Sequence, residues 1–143
     1  MLFLVDDVGL YASFDQMLCK ENNDPEDSQG VGAFFRYGFA HSKTNDIANF
    51  WSIGLQYQGL FDGRDDDVLG IGFAQVIFNN ASVATYDEDN EGVLEVYYNI
   101  LVAPWLNLTP NVQYIINPGG NERADGKVIS DAIVIGLRAQ SAF

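Results

Sequence analysis

Apolar and polar residues alternate along this chain with a period of two, in seven segments about ten residues long separated by stretches rich in Gly, Asn and Asp. One segment sets Val31, Ala33, Phe35, Tyr37 and Phe39 against Gly32, Phe34, Arg36, Gly38 and Ala40, and the next sets Trp51, Ile53, Leu55 and Tyr57 against Ser52, Gly54, Gln56 and Gln58. Further on, Leu94, Val96, Tyr98, Ile100 and Val102 oppose Glu95, Tyr97 and Asn99. Leu106, Leu108, Pro110, Val112 and Tyr114 oppose Asn107, Thr109, Asn111 and Gln113. The last segment sets Ile133, Ile135, Leu137, Ala139 and Phe143 against Val134, Gly136, Arg138 and Gln140. Successive strand side chains point to opposite faces, so each segment predicts a strand with one greasy face and one polar or small one. Segments at Leu10 to Leu18 and Val68 to Phe78 alternate less cleanly, because glycine and aromatics share both faces.

A soluble β-sandwich, such as a carbohydrate-binding module, gives the same alternation. Three features favour a membrane barrel. Strands near ten residues suit a tilted crossing of the hydrocarbon layer, whereas soluble strands average about five or six. Several of Tyr11, Phe14, Phe39, Trp51, Phe61, Phe78, Tyr98, Trp105 and Tyr114 fall near segment ends, as interfacial girdles require. Connections alternate between compact (Ala103 to Leu106) and long polar (Asn79 to Gly92, Asn117 to Asp131), like the short periplasmic turns and longer outer loops of such barrels. The expected fold is all-β, an antiparallel transmembrane barrel segment.

Composition narrows the function. A formal charge of −13 leaves no basic stripe for nucleic acid. The acids gather at Asn22 to Asp27, Asp62 to Asp67 and Asp87 to Glu91, read as solvated turns and loops, with Gly63 supplying a positive φ in the second. Asp87 opens like a calcium-binding loop, but the bidentate Glu that such a loop needs at its end is Tyr98 here, so no metal site is expected. Cys19 is the only cysteine and is read as inert. No apolar run of about 18 residues is present, so no transmembrane helix is expected. Met1 to Val5 is apolar but meets Asp6 and Asp7 without a basic region or cleavage site, unlike a signal peptide. The only histidine, His41, stands beside Ser42 and Lys43 with Asp46 nearby. Without a strained nucleophile turn or oxyanion motif it is read as an exposed loop residue, and no enzymatic function is expected.

Four stretches carry a family resemblance: Gly30 to Tyr37 (GVGAFFRY), Gly59 to Gly72 (GLFDGRDDDVLGIG), Leu94 to Gly120 (LEVYYNILVAPWLNLTPNVQYIINPGG) and Ala132 to Phe143 (AIVIGLRAQSAF). The third is the most specific, with an E-x-Y-Y strand, a P-W turn and a P-x-x-Q-Y-I-x-N-P-G-G strand and loop in order. The chain thereby resembles the C-terminal portion of the carbohydrate-selective porins typified by OprB. The resemblance implies facilitated diffusion of sugars such as glucose across the outer membrane of a Gram-negative bacterium. It implies no cofactor, and as partners carbohydrate solutes, outer-membrane lipid and lipopolysaccharide, and the barrel-assembly machinery. A homotrimer is left open. Phe143 closing an amphipathic strand resembles the signal that the machinery reads, although Ser141 replaces the usual apolar residue.

A conducting porin needs about 16 to 18 strands, so seven are expected to be part of a 16-stranded barrel in a chain roughly three times longer. With Phe143 periplasmic, the turns at 20–29, 62–67 and 103–106 are periplasmic, and the loops at 41–48, 79–92 and 117–131 extracellular. The facing assignment puts Arg36, Gln56, Gln58, Glu95, Tyr97, Asn99, Asn111, Gln113, Arg138 and Gln140 on the lumen side. Charge facing lipid at mid-membrane costs about 2–4 kcal/mol, which turns Arg36, Glu95 and Arg138 inward.

Overall fold

Each alternating segment becomes one strand of a single antiparallel sheet in a computed structural model that describes residues 8–24, 28–41, 45–79, 89–120, 123–124 and 127–142. The strands are β1 (Gly9–Lys20), β2 (Gly30–Ala40), β3 (Ile47–Gln58), β4 (Val68–Phe78), β5 (Asn90–Ala103), β6 (Leu106–Ile116) and, after the last long loop, β9 (Ala132–Ser141). Each pairs with its sequence neighbour, in the order β1-β2-β3-β4-β5-β6-β9. Within that loop lie a 3-10 turn, Pro118–Gly120, and a two-residue ladder, β7 (Arg123–Ala124) with β8 (Lys127–Val128), which period-2 reading did not anticipate. The seven strands run from 10 to 14 residues.

Register joins the apolar positions into continuous rows. Phe35 stands opposite Ile53, Ile53 opposite Phe73, Phe73 opposite Leu94, and Leu94 opposite Tyr114. A parallel row runs Ala33, Leu55, Ile71, Val96, Val112, Ile135. Among the described residues no hydrophobic side chain is buried. Exposure rises from 39% at Leu94 in the middle of the sheet to 81% at Ile135 on its edge. A sandwich must cover its apolar face with a second layer. This sheet has one layer, so the soluble alternative falls away, and its greasy face suits hydrocarbon.

Aromatics at strand ends bring polar partners with them, as interfacial rings do. Toward the long loops, Tyr37 OH donates to Asn49 Oδ1 (2.7 Å), Trp51 Nε1–H to Gln75 Oε1 (3.0 Å), and Tyr114 OH to Asp131 Oδ2 (2.7 Å). Toward the turns, Phe61 meets Tyr98 edge-on at 5.7 Å. Tyr11 departs from the girdle expectation: it stands opposite Gly38 and shares the polar face.

The ladder is interrupted in places. The β1–β2 register shifts between Met17 and Cys19, so the alternation changes phase at Leu18. Pro110 lies inside a strand with neighbours on both sides, where it has no N–H to give. The β5–β6 pairing lapses between Tyr97↔Asn111 and Ile100↔Leu108, and Asn99 Nδ2–H bridges the gap to Thr109 Oγ1 at 2.9 Å.

Cysteines introduced at Gln56, Asn99 and Gln113 are expected to react with a water-soluble thiol reagent in the inserted barrel, and those at Leu55, Tyr98 and Val112 to stay unlabelled. The reverse pattern would put the register off by one residue, which exchanges the two faces.

Candidate pore-lining face

The polar face is assembled by the same register. Arg36 stands opposite Ser52, Gln56 opposite Gly70, Tyr97 opposite both Gly70 and Asn111, Glu95 opposite Gln113, and Arg138 opposite Thr109. All ten residues expected to face the lumen lie on this side of the sheet. Seven of them, Arg36, Gln56, Glu95, Tyr97, Asn99, Arg138 and Gln140, surround a cavity of about 500 Å³. Gln58 instead donates to Ser28 Oγ at the turn (2.8 Å), and Asn111 packs over Gly136. Neither they nor Gln113 borders the cavity.

The structure adds to this face one residue that sequence reading missed, Asp15, and shows what Phe34, already placed there, does. Asp15 lines the cavity with Oδ1 3.8 Å from Arg36 Nη2. Both side chains are well exposed, so the pair adds little stability, but it neutralises Arg36. Asp15 was hidden by the imperfect alternation of β1. Phe34 reaches sideways over Gly54, and its ring lies 4.8 Å from the Arg36 guanidinium carbon. The signal for it was present as facing glycines on the adjacent strands. Around the cavity two arginines, Arg36 and Arg138, face two acids, Asp15 and Glu95.

The turn between β3 and β4 was expected to be solvated throughout. Asp62, Asp65 and Asp66 are exposed, but Asp67 is buried. Its carboxylate accepts hydrogen bonds from Arg64 Nε (2.7 Å) and Nη2 (2.8 Å), from Tyr98 OH (2.7 Å) and from the Leu101 backbone N–H (2.9 Å). Burial pushes this carboxyl up, and the Arg64, Tyr98 and Leu101 hydrogen bonds outweigh it, holding it below its ordinary value. The turn is thus tied across β4 to the turn end of β5.

The 117–131 loop is braced at its base. Asp131 accepts from the Asn117 N–H (3.0 Å) as well as from Tyr114, and these bonds hold its carboxyl low. Glu91 accepts from the Gly119 N–H (2.5 Å). Asn117, Gly119 and Gly120 all have left-handed backbone, at φ 51°, 60° and 65°. That accounts for Asn-Pro-Gly-Gly at this spot, since Asn and Gly accept positive φ most readily.

His41 also differs from its reading. It is half-buried at the end of β2, with its N–H donating to the Val8 carbonyl (3.0 Å) and its carbonyl accepting from Asn45 Nδ2 (3.1 Å). Ser42, Lys43, the 80–88 loop and Phe143 lie outside the described residues, and so do the expectations that rest on them.

A one-layer antiparallel sheet of long strands, greasy and uncovered on one face and polar on the other, is the wall of an outer-membrane β-barrel. Residues 5–143 match the carbohydrate-selective porin, OprB family, and the chain belongs to that family. It is 29% identical to Porin B of Pseudomonas aeruginosa over 94% of its own length, and 27% identical to the putative porin QuiX of Acinetobacter baylyi over 90%. It superposes on the high-pH structure of Pseudomonas putida OprB with a TM-score of 0.79 at 29% identity, over 94% of this chain and 35% of that one. The chain spans about a third (32%) of the length of the curated relatives it matches.

Asp67→Asn is expected to lower the unfolding temperature of the barrel in detergent, since it removes the charge that receives four hydrogen bonds, at a cost of about 1–3 kcal/mol. A carboxyl held low in the folded state adds stability that is fully present above its unfolded value, here 3.8, and is lost as pH falls through the folded one. Unfolding followed by heat-modified gel mobility should therefore weaken below pH 3.8 in the unaltered protein and lose this component in Asp67→Asn.

Proposed function

We propose that this chain forms the C-terminal part of a single porin barrel domain, and that the barrel is an outer-membrane channel for facilitated diffusion of carbohydrates. What carries the reading is the division of the sheet, with uncovered apolar rows on one face and hydrogen-bonding side chains gathered around a cavity on the other. In this reading Arg36, Gln56, Gln58, Glu95, Tyr97, Asn99, Asn111, Gln113, Arg138 and Gln140 line the water-filled lumen. A sugar presents hydroxyls, which such amides, phenols and charged groups can meet with directional hydrogen bonds weak enough to release. The balance of two arginines by two acids at the cavity favours an uncharged solute over either ion. The names Porin B and OprB agree with a channel and not an enzyme. Outer-membrane lipid, lipopolysaccharide and the barrel-assembly machinery are the partners that follow from such a barrel, with a homotrimer as its candidate assembly.

The test is sugar-driven swelling of liposomes. The barrel completed with its remaining strands is expected to swell them, and the 143-residue chain alone is not. Seven strands make less than half the circumference of a conducting barrel, and unpaired edge groups cost several kcal/mol each in hydrocarbon. Swelling by a monomer of the isolated chain would overturn the larger-barrel reading. Failure of the complete barrel to pass sugar would overturn the channel reading.

Phe143 is proposed as the assembly signal. Its removal from the complete barrel is expected to reduce heat-modifiable barrel in outer-membrane fractions sharply, and equal amounts with and without it would discard that role.

A further inference from the structure

The polar face holds a feature that hydrogen-bonding wall residues do not explain. Phe34 on β2 and Tyr97 on β5 extend toward each other over the two strands between them, across glycines. A methyl group on Gly54 would lie 2.4 Å from Phe34 Cε1, and one on Gly70 would lie 2.2 Å from Tyr97 Cζ. The Phe34 ring tip comes within 3.6 Å of the same position on Gly72, one strand further on. Strands are about 4.8 Å apart, so a ring that leaves β2 and reaches both β3 and β4 must lie along the sheet rather than stand up from it. Tyr97 is fixed in its reclined pose at its far end, where its hydroxyl accepts from Gln56 Nε2 at 2.6 Å. Gly54 and Gln56 are two residues apart on β3, which sets the two rings roughly 7 Å apart along the strand. Both rings border the 500 Å³ cavity, together with Arg36, Glu95, Asn99 and Arg138.

We propose that Phe34 and Tyr97, laid on a glycine floor, form a stacking platform for the face of a pyranose ring. The proposal deepens the sugar-channel reading and rests on it. A pyranose carries its hydroxyls around the edge and C–H groups on its faces, so it matches a flat apolar surface ringed by hydrogen-bonding groups. The glycines are what make the surface: a side chain at Gly54 or Gly70 would push the ring upright into the lumen. An acyclic polyol with the same hydroxyls has no flat face to offer.

The experiment records ion current through the complete barrel in a planar bilayer, with glucose or sorbitol as the blocking solute. Glucose is expected to halve the current at a lower concentration than sorbitol. Phe34→Leu is expected to raise the glucose value about fivefold, the scale of one ring contact, and to leave that for sorbitol in place. Tyr97→Phe keeps the ring and loses the hydroxyl held by Gln56, and is expected to fall between. Ile53→Val, on the apolar face, controls for assembly. Equal block by glucose and sorbitol in the unaltered barrel, or an unchanged glucose-to-sorbitol ratio in Phe34→Leu, overturns the platform while liposome swelling leaves the sugar channel standing. If Phe34→Leu does not assemble, the ratio in the unaltered barrel decides alone. A complete barrel that passes ions and no sugar overturns the channel reading, and the platform with it.

Discussion

Every peptide group placed in hydrocarbon has to find its hydrogen-bond partner within the protein, because an unmet N–H or C=O there costs several kcal/mol. For strands this leaves one solution, a ladder in which each is paired on both sides, and β2 to β6 meet it with near-continuous antiparallel register. The side chains are then free to invert the usual arrangement. With backbone polarity cancelled, the face that would be a core in water can remain bare, so the rows from Phe35 to Tyr114 need no second layer. Pro110 shows how strictly the constraint applies. Where it cannot donate, the ladder lapses and a side-chain bond from Asn99 to Thr109 spans the gap.

The same constraint defines what β1 and β9 require. Among the described residues each pairs on one side only, and their apolar side chains are the most exposed of the sheet, Leu10 at 69% and Ile135 at 81%. An edge of unpaired backbone groups is a template for another strand. The chain spans about a third of the length of Porin B and of the OprB structure it superposes on, and in the barrel proposed above further strands occupy those edges.

How much of this was legible follows from where period-2 alternation survives. The clean segments around Phe35, Ile53, Val96 and Val112 marked out strands, and the ten lumen candidates, with Arg138 and Gln140 from the last segment, share one side of the sheet. Alternation failed in β1, where Gln16 falls on the apolar face and Met17 on the polar one, and that concealed Asp15 and the side on which Tyr11 stands. It was also blind to Asp67. In sequence that residue is the last of an acidic run ending in a turn, with nothing to distinguish it from Asp65 and Asp66. Only the approach of Tyr98 and Leu101, more than thirty residues later, makes it a buried acceptor. Phe34 looked like one more member of a small-residue face, because its meaning lies in the glycines of other strands.

The distribution of charge ties these points together. A net −13 suggests a strongly acidic surface, yet among the residues around the cavity the two arginines, 36 and 138, are equalled in number by two acids, 15 and 95. The excess negative charge is carried elsewhere, in turns and loops that water can solvate. At physiological salt, exposed charges are screened over about 8 Å. Acids at the two ends of strands this long therefore contribute little field at the middle of the wall, where the balanced charges and the reclined rings lie. What remains at that depth is a wall of hydrogen-bonding groups and aromatic rings whose charges balance.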